Sequence, residues 1–250
     1  MPIVTRMSLS RNHLFCLSLV VFSLAILQLK CGAQNVPDNF DVQSKDEDSP
    51  MMIGTYVGMF GPHKITVSIE KVVGKTVLGY SIVTANERAF SGSWQRLPEG
   101  DFAIVAKEPG DHKEDGVFTL TIDFETRALK GYWESLKKPV EKVTLDLIAK
   151  KFKYDPKVGQ YPQASKKLLK AADVENLLPN ELQIMRNEIY ARHGYSFINE
   201  EMQKHFAQVD WYMPIALDVK TSLTQIESKN AELIKRYEKY EAQYYDRFGR

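Results

Sequence analysis

Six residues in the C-terminal half of the chain combine charge, aromatic surface and close spacing: Arg186, Tyr190, Arg192, His193, Trp211 and Tyr212. Arg186, Tyr190 and His193 recur at steps of four and three, which puts them on one face of a helix. Guanidinium and imidazolium groups gathered there could attract a carboxylate or a phosphate. Exposed Tyr and Trp rings could stack against a sugar or a peptide. The same residues also have a purely structural use. Glu188 precedes Arg192 by four positions, the favourable order for a helix-surface ion pair worth roughly a few tenths of a kcal/mol. His193 stands at the helix end, where a cation is favoured and the ring can hydrogen-bond a terminal carbonyl. Phe197, Phe206, Trp211 and Tyr212 follow closely enough to wrap that end in aromatic surface. The expectation is therefore a compact helical hairpin in which Arg192 and His193 point toward Phe197, Phe206 and Trp211, with structural support as the leading role and ligand contact as the alternative.

Other chemistries find little support. His13, His63, His112, His193 and His205 are scattered, and none forms a paired metal-ligand spacing. There is no Gly-x-Ser-x-Gly elbow, and Ser91-Gly92-Ser93-Trp94 sits in an alternating strand rather than at a strand-to-helix turn. Glu188 and His193 are five residues apart and so face different sides of a helix, which separates them as an acid–base pair. No metal, cofactor or catalytic residue is expected.

These residues need a helical scaffold, and the sequence supplies its punctuation. Ser165 can cap a short helix through Ala172. Pro179 suits a helix start, where a missing N–H costs nothing. Leu182, Met185 and Ile189 then form one stripe, and Gly194 ends the helix in the left-handed conformation. A shorter helix spans Glu200 to Ala207. A last one begins near Leu223, capped by Thr221 or Ser222, and runs to about Tyr245 with Leu223, Ile226, Leu233, Tyr237, Tyr240, Tyr244 and Phe248 on one face and Asn230 completing the spacing.

The segment Glu181 to Pro214 closely resembles the bacterial extracellular domain named for its Tyr-Ala-Arg-His-Gly motif (YARHG), here Tyr190-Ala191-Arg192-His193-Gly194. The resemblance continues through Met185-Arg186-Asn187-Glu188-Ile189, Phe197, Phe206 and Trp211-Tyr212-x-Pro214. It extends to Leu223-Thr224-x-x-Glu227-x-x-Asn230 with Ile234 and Glu238. It covers roughly the last third of the chain and implies a secreted or cell-envelope location, but no activity, catalytic residue or ligand.

Upstream, from Ile53 to about Ile148, the pattern changes to short alternating runs separated by turns. The runs are Gly54–Phe60, Lys64–Glu70, Thr76–Val83, Arg88–Arg96, Phe102–Lys107, Val117–Phe124, Ala128–Glu134 and Glu141–Leu147, with Glu108 to Gly116 read as a loop. About eight strands at this spacing suit an antiparallel meander that closes into a small barrel or folds into a sandwich, since closure removes exposed edges. Gly58, Gly79, Gly92 and Gly131 inside the strands mark bends or close backbone approaches. The fold class is α+β: a β domain at 51–149, a linker at 150–165 and an all-helical domain at 166–250.

The N-terminus has a separate task. Arg6 and Arg11 precede the uncharged run Leu14 to Leu29, and Cys31-Gly32-Ala33 follows, as in an export signal cleaved after Ala33. Cys31 could instead be the lipidated first residue of a lipoprotein, although Lys30 fits a lipobox poorly. An uncleaved N-terminal anchor is a further option. Residues 34–50 are polar and acid-rich and read as a tether. Cys16 lies within the apolar run and leaves with it, so the mature chain has no internal disulfide to form. The formal charge of +1 over 250 residues, with both signs interspersed, excludes a strong electrostatic nucleic-acid binder.

The functional expectation is a noncatalytic binding or structural module of the cell envelope, periplasmic, outer-membrane-associated or extracellular. Its partner would be an envelope protein, a peptide or a glycan, and a lipidated Cys31 would attach it to a membrane. A calyx-like cavity in the β domain would favour ligand binding, and a packed interior would favour a scaffold. The alternatives are an enzyme or enzyme inhibitor acting on cell-wall material, and an assembly module that uses the last helix.

Overall fold

The computed structural model of the chain describes residues 49–112, 114–137 and 142–244. The export segment, Cys31 and Phe248 lie outside them, as does nearly all of the tether. The expected strands form as antiparallel neighbours: β1 Gly54–Phe60, β2 His63–Val73, β3 Thr76–Val83, β4 Asn86–Arg96, β5 Phe102–Lys107, β6 Gly116–Ile122, β7 Leu129–Ser135 and β8 Lys142–Ala149. Each pairs with the next, and β1 returns to β8 through Tyr56–Ala149, Val57–Ile148 and Gly58–Leu147, so the sheet is a closed barrel rather than a sandwich.

Alternation decides which face is which. Ile65, Val67 and Ile69 on β2, Phe102, Ile104 and Ala106 on β5, and Phe118, Leu120 and Ile122 on β6 point inward and are buried. Outward positions carry exposed residues such as Glu87, Gln95, Lys107, Lys130 and Asp146. The outer face also carries the exposed apolar side chains of Leu78, Val105 and Ile148. Two strand glycines show why closure needs them. A Cβ at Gly92 would lie 2.0 Å from the Val105 carbonyl oxygen, and one at Gly131, where φ is +149°, would lie 2.0 Å from that of Thr119. A short turn, α1 (Ser49–Met52), precedes β1. Its Met52 is fully buried in the barrel core, and its carbonyl accepts from the Tyr56 hydroxyl at 3.0 Å.

The helical region contains α2 (Gln163–Lys166), α3 (Pro179–Arg192), α4 (Glu200–Ala207) and α5 (Gln225–Tyr244). Leu182, Met185 and Ile189 of α3 pack with Ala231 and Ile234 of α5. Phe197, Phe206 and Tyr212 form a second, aromatic cluster with Met202 and Ala191.

Several local expectations are corrected. Ser165 does not cap a helix through Ala172. It is buried in the four-residue α2, and a separate 3-10 turn forms at Ala171–Asp173. The cap of α5 is Thr224, not Thr221 or Ser222: its hydroxyl accepts from the Glu227 amide at 3.2 Å, and Glu227 Oε2 accepts from the Thr224 amide at 2.9 Å. The buried face of α5 keeps Asn230 of the expected stripe, with Leu223, Leu233 and Tyr237 packed at its edge, but is shifted elsewhere. Glu227, Asn230, Ala231 and Ile234 are buried, whereas Ile226 and Tyr240 are exposed. Polar side chains hold that face because each has internal partners. Asn230, for instance, accepts from the Leu169 amide at 2.8 Å and donates to the carbonyls of Ala164 and Lys167 at 2.7 and 2.8 Å.

The barrel and the helices meet at β2, at the β3–β4 turn and just after β8. Helix α4 packs on β2. Lys64 Nζ donates to the Val209 carbonyl at 2.5 Å, Lys150 Nζ to that of Asp210 at 2.7 Å, and the Ala85 amide to Ser196 Oγ at 2.9 Å.

Candidate functional site

Within the motif segment, Arg192 is the centre of a closed polar network. Its Nε donates to the Val158 carbonyl at 2.9 Å, one terminal nitrogen to Ser165 Oγ at 3.2 Å and the other to Glu188 Oε2 at 2.6 Å. The two side chains of the ion pair are 0% and 3% exposed. Glu188 in turn accepts from the amides of Gln160 at 2.6 Å and Tyr161 at 2.8 Å. Gly159 makes that approach feasible: φ is +94°, and a Cβ there would fall 2.6 Å from both Glu188 carboxylate oxygens. The segment 150–165, expected as a linker, is thus the strand of chain on which Glu188 and Arg192 close.

His193 belongs to an adjoining network. Its Nε2 lies 2.9 Å from Glu227 Oε2, and its ring stacks on Tyr154 at 4.5 Å. The Tyr154 hydroxyl donates to Glu227 Oε1 at 3.1 Å. Burial works to raise the Glu227 carboxyl, but hydrogen bonds from His193, Ser165 and the Thr224 amide outweigh it and hold it at about 2. Burial and then the Glu227 charge push the Tyr154 phenol up to about 12.

The structure therefore brings Arg192 and His193 into the interior, but toward the 154–165 segment and Glu227 rather than toward Phe197, Phe206 and Trp211. Arg186 Nε stands 3.0 Å from Glu238 Oε1. Neither atom has a hydrogen-bond partner among the described residues, so this contact is an ion pair only. Tyr190 packs between the two helical cores. Tyr212 is 4% exposed and donates to the Tyr195 carbonyl at 2.8 Å, whereas Trp211 is half-buried with its ring edge-on to Phe206. A ligand reaching Arg192 or His193 would have to displace carboxylates already in place. Among the described residues, no group of three His, Cys, Asp or Glu side chains gathers to hold a metal ion.

An open site lies elsewhere, at the barrel end formed by the β1–β2, β3–β4 and β5–β6 connections. A pocket of about 700 Å³ there is lined by Phe60, Ile65, Phe118 and Trp133 and by the polar groups of His63, Ser81, Arg88, Glu108 and Glu114. That volume lies in the range of small-molecule sites. Its wall carries Glu108, 2% exposed, whose Oε2 accepts from Trp133 Nε1 at 3.0 Å and the Gly116 amide at 2.8 Å. Gly116 has no side chain because the Trp133 indole occupies the place: a Cβ would lie 2.2 Å from Cε2. Burial raises the Glu108 carboxyl above its ordinary range, against the hydrogen bonds from Trp133 and Gly116. At the rim Arg88 bonds to Asp115 and, at 3.1 Å, to Glu114.

The signal for this pocket was present in the strand parity. Glu108 continues the inward series Phe102, Ile104, Ala106, and His63 begins the series Ile65, Val67, Ile69. Reading Glu108 as the first residue of a loop hid it, because a polar residue at the end of an apolar series resembles a strand boundary.

Residues 159–239 match the family model described as the YARHG domain. The match coincides with the helical region and starts at Gly159, the residue against which Glu188 packs. No curated protein and no solved structure matches the chain.

Proposed function

We propose that the protein is exported to the bacterial cell envelope and acts there as a binding protein, with the barrel mouth as its ligand site and the YARHG region as a rigid structural partner docked on the barrel. The observation that carries this reading is the pocket itself: a buried carboxylate at Glu108 beside the rings of Phe60, Phe118 and Trp133, in a barrel whose remaining interior is filled by side chains. Eight-stranded barrels have an interior that side chains just fill or that holds one small ligand; here the filled part supports the open end. The buried networks around Arg192 and His193 support a fastening role for the motif.

Export rests on the segment 14–33 and on the envelope association that the family resemblance implies. Signal cleavage after Ala33 gives a freely released chain, and lipidation of Cys31 gives a membrane-attached one. The mass of the mature N-terminus distinguishes them, and an unprocessed chain recovered from the cytosol would overturn export.

Ligand binding is tested by native mass spectrometry of protein purified from its envelope fraction. The wild type should carry a small molecule that a Val83→Trp variant, whose indole fills the mouth, does not. Identical bare masses, with no change in wild-type stability on adding an envelope extract, would overturn the binding reading.

A further inference from the structure

We infer that the barrel pocket takes a small molecule in which an ammonium group is joined to an aromatic or apolar body, anchored by Glu108 Oε1 and Ser81. This assignment rests on the proposed reading of the barrel mouth as a binding site and names the ligand's chemistry.

The first argument is unused acceptor capacity. A carboxylate offers about four lone-pair sites. Oε2 of Glu108 has two good donors, but Oε1 has only Ser81 Oγ at 3.4 Å. Both Glu108 and Ser81 line the cavity, so a further donor would arrive from the pocket side. A buried carboxylate with that capacity unspent is costly unless a donor or a cation reaches it. The raised Glu108 carboxyl is in keeping with that cost.

The second argument is charge. Arg88, the cation at the rim, is bonded to both Asp115 and Glu114. Glu108 lacks a salt-bridge partner within reach among the described residues, so the described walls hold more carboxylates than guanidinium. An anionic ligand would meet Glu108 and Glu114 with Arg88 already engaged, and a cation meets the surplus.

The third argument is the shape of the apolar wall. Phe60 and Trp133 meet edge to face with ring centroids 5.4 Å apart, and Phe118 lines the same space. Aromatic faces attract ammonium groups electrostatically and also accept an apolar body. His63 lines the same space.

Three matched probes test the assignment by calorimetric titration of the purified protein: phenethylamine, 2-phenylethanol and phenylacetate. The amine should bind at least about tenfold more tightly than the alcohol, the scale of one charge-assisted hydrogen bond, with the acid weakest. Glu108→Gln should bring the amine down to the level of the alcohol. The preference is read first on the unaltered protein, so the test survives a variant that folds poorly. Equal binding of amine and alcohol overturns the ammonium assignment and leaves the pocket reading standing. Binding by none of the three also overturns it, while the co-purification comparison with Val83→Trp decides separately whether the mouth binds anything.

Discussion

Arg192 and Glu188, one helical turn apart on α3, form an ion pair of 2.6 Å from which water is almost wholly excluded. The spacing alone suggests a surface pair of small value, but burial changes its meaning. Both groups lost hydration on folding, and each is the other's ion-pair partner. Arg192→Ala leaves the Glu188 charge without its guanidinium in the interior and should cost roughly 3–5 kcal/mol in denaturant unfolding. Arg192→Lys should recover little, because an ammonium cannot reach Val158, Ser165 and Glu188 from one planar fork. Lys204→Ala, which removes the exposed pair with Glu200 at the same spacing, is the control and should leave the midpoint nearly unchanged. A small loss for Arg192→Ala would mean that the network is not what fastens the 154–165 segment.

Gly159→Ala tests the same junction from the other side. The new methyl group meets the Glu188 carboxylate at a backbone angle that disfavours L side chains. The expected loss is roughly 1–3 kcal/mol, together with faster amide exchange at Gln160 and Tyr161, whose N–H groups lose their acceptor. Unchanged exchange at those two amides would contradict the clamp.

Much of this was legible in the sequence, and the remainder was not for identifiable reasons. Alternation with a turn every few residues specified the eight strands, because a half-buried strand repeats every two residues and a slip would turn Phe118 and Leu120 outward. Pro179 and Gly194 marked the limits of α3 because each suits one backbone conformation. Closure into a barrel rather than a sandwich was not legible, since it depends on β1 finding β8 nearly a hundred residues away. Glu188 was legible as a partner of Arg192 from the spacing of four, but the other partners of Arg192 and those of His193 were hidden. Proximity along the chain pointed to Phe197 and Phe206, but the carboxylate Glu227 and the carbonyl of Val158 arrive from segments distant in sequence. Asn230 completes the apolar spacing of α5 and is buried as that spacing requires, whereas Glu227 falls outside the stripe and its polarity masks its place on the buried face.

The pH dependence of stability should show the His193–Glu227 contact. The Glu227 carboxyl, ordinarily near 4.5, is held at about 2 in the folded chain. A depressed carboxyl contributes stability that is fully present above its unfolded value and is lost as pH falls through its folded one. The wild type should therefore lose on the order of 3 kcal/mol from this group between pH 4.5 and 2. Glu227→Gln should be less stable at neutral pH and flatter across that window, as measured by urea midpoints at stepped pH. A parallel pair of curves would show that Glu227 does not control the acid limb.

Glu108 should behave with the opposite sign. Its carboxyl is raised by burial, so the folded chain binds a proton more readily than the unfolded one. Ionisation of this group therefore lowers stability: the loss is present above the folded value and is relieved as pH falls through it toward the ordinary value of 4.5. Glu108→Gln keeps an oxygen to accept from Trp133 and Gly116 and gains an amide N–H for Ser81, so it removes the buried charge without orphaning its neighbours. At pH 7 the variant should unfold at the same denaturant concentration as the wild type or a higher one, and the difference should vanish near pH 4. If the variant is instead clearly less stable at pH 7, the ionised carboxylate is a favourable part of the pocket wall. The acceptor capacity attributed to Oε1 would then already be spent within the protein, leaving no electrostatic reason for a ligand to enter there.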